Sequence, residues 1–372
     1  MDKGGVSLTE AQARAVQYVR TDALDVQCLS RSVIDRILAA EGLSAIDVDL
    51  LIDHIRRFAR VTLNFHPDRL LATGRSVVEG LLQDGVYRGQ FETSISNGSR
   101  TAFAGGDRDR WEEHLFGKAY QAAGVTNEER PKYGGLNLMN YADGASPRFG
   151  SCHLVLRPHV SERCTFTFGD SFTGPERKGT IDVFSPLLAP LFEAAVSTQE
   201  VLGSDHINVR LLVELLQSLN TRSSEFLPEA LGRSLDDYIE AQVHAVVDLA
   251  NDAEALIADP SFKGTPTGNL LEETCYKYDL RLGWHAGFQI EVGSVPGDFR
   301  GPAMQPLALR IDQRFGNDRG RIDAAVLGLA AASLHNHPEE WQDWGSYDET
   351  LQHMKQLWHV LVRFGSPHYF VT

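Results

Sequence analysis

Three separated stretches of the chain place polar side chains at the spacing of β-strands. In GVYRGQFETSISNGS, an apolar run ends at Arg88, and small hydroxyl and amide residues follow it. In RCTFTFGDS, Thr165 and Thr167 lie two residues apart, and in YIEAQVHA the same spacing separates Glu240 from Gln242. Because successive side chains of a strand point to opposite faces, residues two apart share one face. The sequence therefore predicts an arginine, a pair of hydroxyls and a carboxylate on three different strands.

Such a set suits cleavage of the nicotinamide–ribose bond of NAD. A guanidinium can bind a diphosphate through two parallel hydrogen bonds, and strand hydroxyls can hold the ribose and brace the acid. A carboxylate stabilises the positive charge that develops on the ribose, as in the oxocarbenium-like transition state of glycosidases. Since nicotinamide leaves as a neutral group, the reaction needs no general acid at the leaving side.

Each of the three stretches also has an ordinary structural interpretation. An arginine at a strand end commonly forms an ion pair, and alternating threonine and phenylalanine is common in strands. A glutamate in a strand of alternating polarity usually faces solvent. The residue types alone leave both interpretations open, and their order on three separate strands favours a joint role.

The order of arginine, hydroxyl pair and glutamate is similar to that of mono-ADP-ribosyltransferases of the arginine–serine–glutamate type. Phrases between residues 64 and 245 also look like a bacterial family that includes secreted effectors which ADP-ribosylate a threonine of host ubiquitin. These phrases are NFHPDR, GVYRGQFETSISNG, GGDRDRWE, ERPKYGGLNL, PRFGSCHLVL, RCTFTFGDS and YIEAQVHA. The resemblance implies an α+β fold with a split β-sheet core, NAD as the substrate, and a protein acceptor such as ubiquitin.

Residue by residue, the resemblance assigns the catalytic role to Glu240 and the binding of NAD to Arg88. Thr165 and Thr167 would stand in place of the family's serine–threonine–serine strand. Further residues near these motifs are expected to complete the NAD pocket, namely Gly89, Ser96, Asn97, His66, Arg69, Asn137 and Gln242.

Some of these residues have alternatives in local structure. His66 and Arg69 are expected to cap a helix as well as to reach the NAD pocket, and Asn137 would otherwise form a turn. The phrase GGDRDRW lacks the spacing of a phosphate-binding glycine motif, so the sequence assigns no role to its arginines.

The sequence departs from the common transferase pattern in two places. The middle motif is Thr-Phe-Thr, and Tyr238 occupies the position two residues before Glu240, where arginine-directed enzymes carry a second acid. An arginine acceptor stays protonated at neutral pH and needs that acid, so the sequence favours a hydroxyl acceptor. Glu291 in GFQIEV is a second candidate with the literal Gln-x-Glu spacing. Glu240 is preferred because DLANDAEALIAD after it is expected to form the closing loop and helix of the core.

Two other functions stay open on the sequence alone. An NAD glycohydrolase would use the same residues with water as the acceptor. A non-catalytic protein-binding module would use the polar strands for structure only. Incubation with labelled NAD and host proteins separates the three.

Composition and charge limit the classes of partner. The 372 residues carry a formal net charge of −15, which disfavours unspecific attraction to nucleic acids and anionic membranes. No stretch approaches the roughly 18 apolar residues that a membrane span needs. The four cysteines lack metal-binding spacing, and His335 and His337 lack further ligands at zinc spacing. We therefore expect a reduced compartment, no nucleic acid, no membrane span and no metal.

The first residues, MDKGGVSLTEAQARAV, lack the apolar segment of a signal peptide. The expected location is the bacterial cytoplasm. The resemblance implies later delivery into the host cytosol by a route that needs no such segment.

The elements that must position these residues follow from the patterning. Apolar residues at three- and four-residue spacing predict helices over residues 8–60 and in NVRLLVELLQSLN, and strand-rich texture begins near residue 80. DPSFKGTPTG predicts a loop and a boundary, and two helices are predicted near the carboxyl end. The predicted organisation is a helical segment at 1–80, an NAD-binding core at 81–260, and a mixed or helical extension at 261–372 that docks the acceptor.

Overall fold

The computed structural model describes residues 6–94, 101–222, 226–316 and 320–368. Ser96 and Asn97, both predicted to bind NAD, lie outside these residues. The amino-terminal part is helical, as predicted, with α1 (Glu10–Ala40) followed by α2 (Val48–Phe58). The start of α1 is fixed by a capping box, in which Thr9 and Gln12 each bond the other's backbone N–H through a side-chain oxygen.

The strands follow in chain order as β1 (Val61–Phe65), β2 (Val86–Tyr87), β3 (Lys132–Leu136), β4 (Cys152–Leu156), β5 (Cys164–Phe168), β6 (Lys178–Thr180), β7 (Ile239–Val243), β8 (Val247–Asp248), β9 (Ala253–Ala258), β10 (Arg281–Trp284), β11 (Ile290–Glu291) and β12 (Arg321–Ile322). The remaining α-helices are α3 (Val77–Asp84), α4 (Gln90–Thr93), α5 (Asp107–Leu115), α6 (Ser185–Ser197), α7 (Val209–Gln217), α8 (Leu219–Arg222), α9 (Leu249–Asp252), α10 (Pro266–Tyr278), α11 (Met304–Phe315), α12 (Ala324–Asn336) and α13 (Tyr347–Phe364).

Eight strands form one sheet in the order β10-β9-β4-β1-β3-β7-β5-β6. Neighbouring strands are antiparallel except β9 and β10, which are parallel. With helices before and after it, this sheet confirms the predicted α+β class. The sheet is continuous across these eight strands, so the described residues do not confirm the division into two sheets that the resemblance implied.

The sheet extends beyond the predicted core at 81–260. β1 comes from the predicted helical segment at 1–80 but lies between β4 and β3, and β10 from the predicted extension at 261–372 forms one edge. The loop predicted at DPSFKGTPTG is short, because the Thr265 side chain caps α10, which begins at Pro266.

The stretch DLANDAEALIAD does not form the predicted closing loop and helix. Its first part is the four-residue helix α9, and its second part is β9, which pairs with β4 and β10. Most of β9 is buried, and a strand covered on both faces has an apolar run rather than alternating polarity. Local composition therefore gave a wrong prediction here.

β7 has the alternation that the sequence predicted. Ile239, Ala241 and Val243 belong to the hydrophobic core, so Glu240 and Gln242 point to the opposite face. On neighbouring β5, Phe166 also belongs to this core and contacts the Phe184 ring at the start of α6. The polar side chains on the opposite face of these two strands are therefore available to form a site.

The carboxyl-terminal helices form their own layer, in which α11, α12 and α13 pack against one another. The two predicted final helices are confirmed as α12 and α13. α13 is joined to the loop before β4 because the Trp358 indole N–H donates to the Pro147 carbonyl at 2.8 Å. None of the helices in the described ranges combines the length and apolarity needed to cross a membrane.

Candidate active site

A cleft of about 350 Å³ is lined by residues of the strands β1, β3 and β7. This volume falls in the range of roughly 300–1,000 Å³ usual for small-molecule sites. Part of its lining comes from α3, β2 and α4, and the rest comes from the central strands and nearby loops. Its polar lining includes Asn64, His66, Arg69, Arg88, Arg108, Tyr133, Asp170 and Glu240.

Glu240 lines this cleft from β7, and the pairing of β7 with β5 determines which residues lie next to it. Thr167 lies directly opposite Glu240, and Thr165 lies opposite Gln242. The Gln242 amide donates to Glu240 Oε1 at 2.9 Å and to Thr167 Oγ1 at 3.2 Å. The prediction that each pair shares one face of its own strand is therefore confirmed, and hydrogen bonds from Gln242 join the two pairs.

The two threonines and Gln242 lie behind the glutamate. All three are fully buried, and none of them lines the cleft. The Thr165 hydroxyl donates to Gln242 Oε1 at 2.8 Å, and the Thr167 hydroxyl donates to the Gly169 carbonyl at 2.9 Å. They brace the glutamate from behind, as one of the two predicted roles of the hydroxyls requires, but they do not reach the cleft, where the other role would place them.

The environment of Glu240 disfavours its negative charge. Burial, followed by the nearby Asp170 carboxylate, raises the pKa of Glu240 to about 7, against the effects of Ser171, Gln242 and Arg108. Among the described residues, its second oxygen, Oε2, has only two long hydrogen bonds, from the Ser171 backbone N–H and the Tyr238 hydroxyl, each at 3.4 Å. A carboxylate with such a pKa can accept a proton near neutral pH.

Arg108 is a cleft residue that the sequence analysis missed. Its guanidinium lies over the ring of Tyr133 at 4.6 Å and over the ring of Trp111 at 5.3 Å. Burial opposes its charge, but Tyr133 and nearby carboxylates, including Glu240, raise the pKa of Arg108. In the described part of the chain, no hydrogen bond or ion pair engages this guanidinium, so its donors remain for a ligand. Arg108 lies in the stretch GGDRDRWE, at the start of α5. No binding motif in that stretch distinguishes it from an ordinary surface arginine of a helix.

Arg88 lines the cleft, but its setting differs from the prediction. It follows the two-residue strand β2, which pairs with β8 outside the main sheet. Its side chain is 42% exposed and forms ion pairs with Asp84 at 3.2 Å and Glu92 at 3.5 Å. The adjacent Gly89 also lines the cleft, and its N–H donates to Glu92 Oε2 at 2.6 Å. Arg88 therefore has the structural ion pairs that the sequence left open as an alternative.

His66 and Arg69 line the cleft after the end of β1, but the helix capping predicted for them is wrong. They do not cap a helix, because α3 is capped by Ser76. His66 Nδ1 lies 3.4 Å from Ser151 Oγ. Burial, followed by Arg69 and His359, lowers the pKa of His66 well below its usual value, so the ring is neutral near pH 7.

Two other candidates lie away from the cleft. Asn137 exchanges hydrogen bonds with the Tyr141 backbone, donating at 2.9 Å and accepting at 2.9 Å, and lines a separate small cavity. It forms a turn, which was the alternative interpretation. Glu291 is exposed and paired with Arg321 at 3.0 Å. The geometry therefore favours Glu240 over Glu291 as the reactive carboxylate.

One surface group has the composition of a weak cation site. His337, Glu339 and Glu340 lie close together and are exposed. Glu340 is already paired with Arg314. This group is remote in sequence from every residue that lines the cleft, and exposed acidic groups of this kind are common without a metal.

The comparisons with known proteins place this site within a recognised family. No curated protein matches the chain. A family model described as "Protein of unknown function (DUF3626)" matches residues 60–364, a range that contains all the cleft residues discussed above. The chain belongs to this DUF3626 family.

Proposed function

We propose that this protein transfers ADP-ribose from NAD to a hydroxyl side chain of a protein acceptor, with release of nicotinamide. The observation that carries the proposal is Glu240, a buried carboxylate at the cleft with one oxygen held by Gln242 and the other only loosely bound. Such a carboxylate can bond the ribose 2′-hydroxyl and stabilise the positive charge that develops as nicotinamide leaves. The order of motifs that resembles mono-ADP-ribosyltransferases supports the same reaction.

The cations of the cleft support NAD as the substrate. Arg108 has donors without protein partners among the described residues and a rigid position over Tyr133, which suits bidentate binding of a diphosphate. Arg88 can contribute a second guanidinium by exchanging its pairs with Asp84 and Glu92 for the ligand. The buried Glu92 carboxylate would still have the Lys132 ammonium at 3.4 Å and the Gly89 N–H as partners.

The residues around Glu240 favour a hydroxyl acceptor. Tyr238, at the position where arginine-directed enzymes carry an acid, is buried and donates to Glu240 Oε2. The nearby Asp170 carboxylate accepts from the Phe172 backbone N–H at 3.0 Å and lies 3.8 Å from Arg148, so it is already engaged. Glu240 alone can accept the proton of a threonine or serine hydroxyl aligned about 3 Å from the reacting carbon.

The surroundings of the cleft support an acceptor that is a folded protein. Phe172 is 59% exposed and directly follows Ser171, whose N–H bonds Glu240. α13 lies beside the cleft, because the Trp358 ring contacts the ring of the cleft residue His66 at 5.1 Å between centroids. This position supports a docking role for the region 261–372. From the resemblance, a threonine of ubiquitin is the first acceptor to test, and a host acceptor would require delivery of the chain from the bacterial cytoplasm.

The test is incubation of the purified protein with NAD labelled in its adenylate part and a mixture of host proteins. Wild type is expected to label protein, and Glu240→Gln is expected to label almost none. Glu291→Gln is the matched control, since Glu291 is exposed and outside the cleft, and it should behave as wild type. Free ADP-ribose without labelled protein would indicate a glycohydrolase, and intact NAD would refute enzymatic use of NAD.

A further inference from the structure

A chain of hydrogen bonds runs from Tyr120 to Glu240 through the interior of the protein. The Tyr120 hydroxyl lies 2.5 Å from His244 Nδ1, and His244 Nε2 lies 3.1 Å from Thr165 Oγ1. Thr165 Oγ1 in turn lies 2.8 Å from Gln242 Oε1, and Gln242 Nε2 lies 2.9 Å from Glu240 Oε1. All five side chains are buried.

The direction of every bond in this chain follows from the carboxylate at its end. An ionised carboxylate only accepts hydrogen bonds, so Gln242 must turn its NH₂ group toward Glu240 and its oxygen toward Thr165. The single hydroxyl hydrogen of Thr165 is then spent on that oxygen. Thr165 can therefore only accept from His244, which must carry its proton on Nε2. This leaves Nδ1 bare, and it accepts from the Tyr120 hydroxyl.

The state of the imidazole supports this assignment. Burial, followed by Lys132 and Arg163, lowers the pKa of His244 to about 3, so near pH 7 the ring is neutral and has one proton. The ring is also held sterically, with the Phe116 ring at 5.4 Å and the Tyr120 ring stacked at 6.0 Å between centroids. Because the position of the ring is fixed, what remains to be determined is which of its two nitrogens carries the proton.

The second hydrogen of the Gln242 amide is also used. It is donated to Thr167 Oγ1, whose own hydroxyl is donated to the Gly169 carbonyl. Turning the amide around would break these bonds and would place its oxygen 2.9 Å from Glu240 Oε1. The chain therefore holds Oε1 firmly and leaves Oε2 as the oxygen that faces a reactant.

We infer that Tyr120 and His244 are positioning residues, which fix the Glu240 carboxylate through a one-directional chain of hydrogen bonds. Neither residue lines the cleft, so they act through Thr165 and Gln242. The catalytic consequence rests on the proposed function. The direction of the chain does not, because it follows from the contacts alone.

Tyr120→Phe removes only the hydroxyl at the start of the chain. Without that donor, the imidazole keeps its proton on Nε2, because the carboxylate end sets the direction of the hydrogen bonds, but it loses the hydrogen bond that holds Nδ1. Thr165 and Gln242 are then held less firmly. In metal sites, loss of a residue that orients a metal-binding side chain typically lowers activity about 10- to 100-fold. By analogy, we expect kcat of Tyr120→Phe to fall about tenfold, with KM for NAD unchanged. Tyr276→Phe is the matched control, because Tyr276 is 91% exposed and should leave kcat unchanged.

The deciding measurement is the protonation site of His244, read from long-range ¹H–¹⁵N spectra of histidine-labelled protein and assigned with His244→Gln. At pH 8, where Glu240 is ionised, we expect the proton on Nε2 in wild type and in Tyr120→Phe alike. Protonation on Nδ1 in wild type would overturn the inference without recourse to a variant. A Tyr120→Phe protein protonated on Nδ1 would overturn the direction set by the carboxylate, and one with unchanged kcat would overturn the positioning role of Tyr120. If wild type does not cleave NAD, the proposed function fails, and the spectra still decide the direction of the chain.

Discussion

Replacement of Glu240 by glutamine is expected to make the protein more stable at alkaline pH and much less active. Glu240 is 4% exposed, and burial together with Asp170 raises its pKa to about 7. Above that pH, Glu240 is ionised in the folded protein, although its surroundings disfavour the negative charge. Glutamine has nearly the same shape and no charge, so it removes this destabilising effect along with the charge that the reaction needs.

The size of the effect follows from the pKa. The rise from the ordinary value of 4.5 to about 7 limits the destabilisation to about 3 kcal/mol, since each tenfold change in an acid constant is worth about 1.4 kcal/mol. The folded chain keeps the proton to higher pH than the unfolded chain does. The destabilisation is therefore nearly absent below pH 4.5, grows from pH 4.5 to 7 and is complete above pH 7. We expect Glu240→Gln to gain about 1–3 kcal/mol at pH 8 and about 1 kcal/mol or less at pH 5.

The loss of activity has a different origin. A carboxylate that faces a developing positive charge lowers the activation barrier by about 2.7–4 kcal/mol, so its loss is expected to reduce turnover roughly 10²–10³-fold. Urea unfolding at pH 5 and pH 8 measures the free energy of unfolding, and NAD cleavage measures turnover, for wild type, Glu240→Gln and the exposed control Glu291→Gln. NAD binding, measured by calorimetry, should be retained in all three.

Two results would refute this reasoning. A Glu240→Gln protein less stable than wild type at pH 8 would show that the buried carboxylate is not destabilising. Near-normal turnover in Glu240→Gln, with collapse in Glu291→Gln, would show that Glu291 is the reactive carboxylate.

Further predictions concern the cations and the rim of the cleft. Arg108→Lys should weaken NAD binding roughly tenfold in titration calorimetry, because an ammonium cannot bind a diphosphate bidentately from its place over Tyr133; unchanged affinity would contradict this role. Arg88→Lys should also weaken NAD binding without unfolding the protein, whereas an unfolded variant, or one with unchanged NAD affinity, would indicate a purely structural ion pair. Phe172→Ala should lower protein modification about tenfold and leave NAD hydrolysis unchanged, with the exposed Leu50→Ala as control. Equal loss of both activities in Phe172→Ala would argue against a docking role.

The sequence predicted the braced glutamate well because strand periodicity is local. A period of two is enough to place Glu240 with Gln242, and Thr165 with Thr167, on common faces. That β5 lies beside β7, with Thr167 opposite Glu240, depends on pairing between distant segments. No pattern within either strand specifies that register.

The sequence failed where tertiary contacts decide the outcome. Arg108 gains its place in the cleft from Tyr133, on a strand distant along the chain. Arg88 lies at four-residue spacing from Asp84 and Glu92, so its ion pairs were visible in the sequence, but the short extent of β2 was not. The stretch that forms β9 has helix-favouring residues, and burial inside the sheet overrides that preference.

The most direct test of the central claim is mass spectrometry of ubiquitin after incubation with NAD and either wild type or Glu240→Gln. The account predicts one added ADP-ribose on a threonine of ubiquitin with wild type, and none with Glu240→Gln. Label on an arginine would contradict the hydroxyl acceptor and leave the transferase claim in place. Intact NAD after incubation with wild type, with ubiquitin and with a mixture of host proteins alike, would contradict the account as a whole.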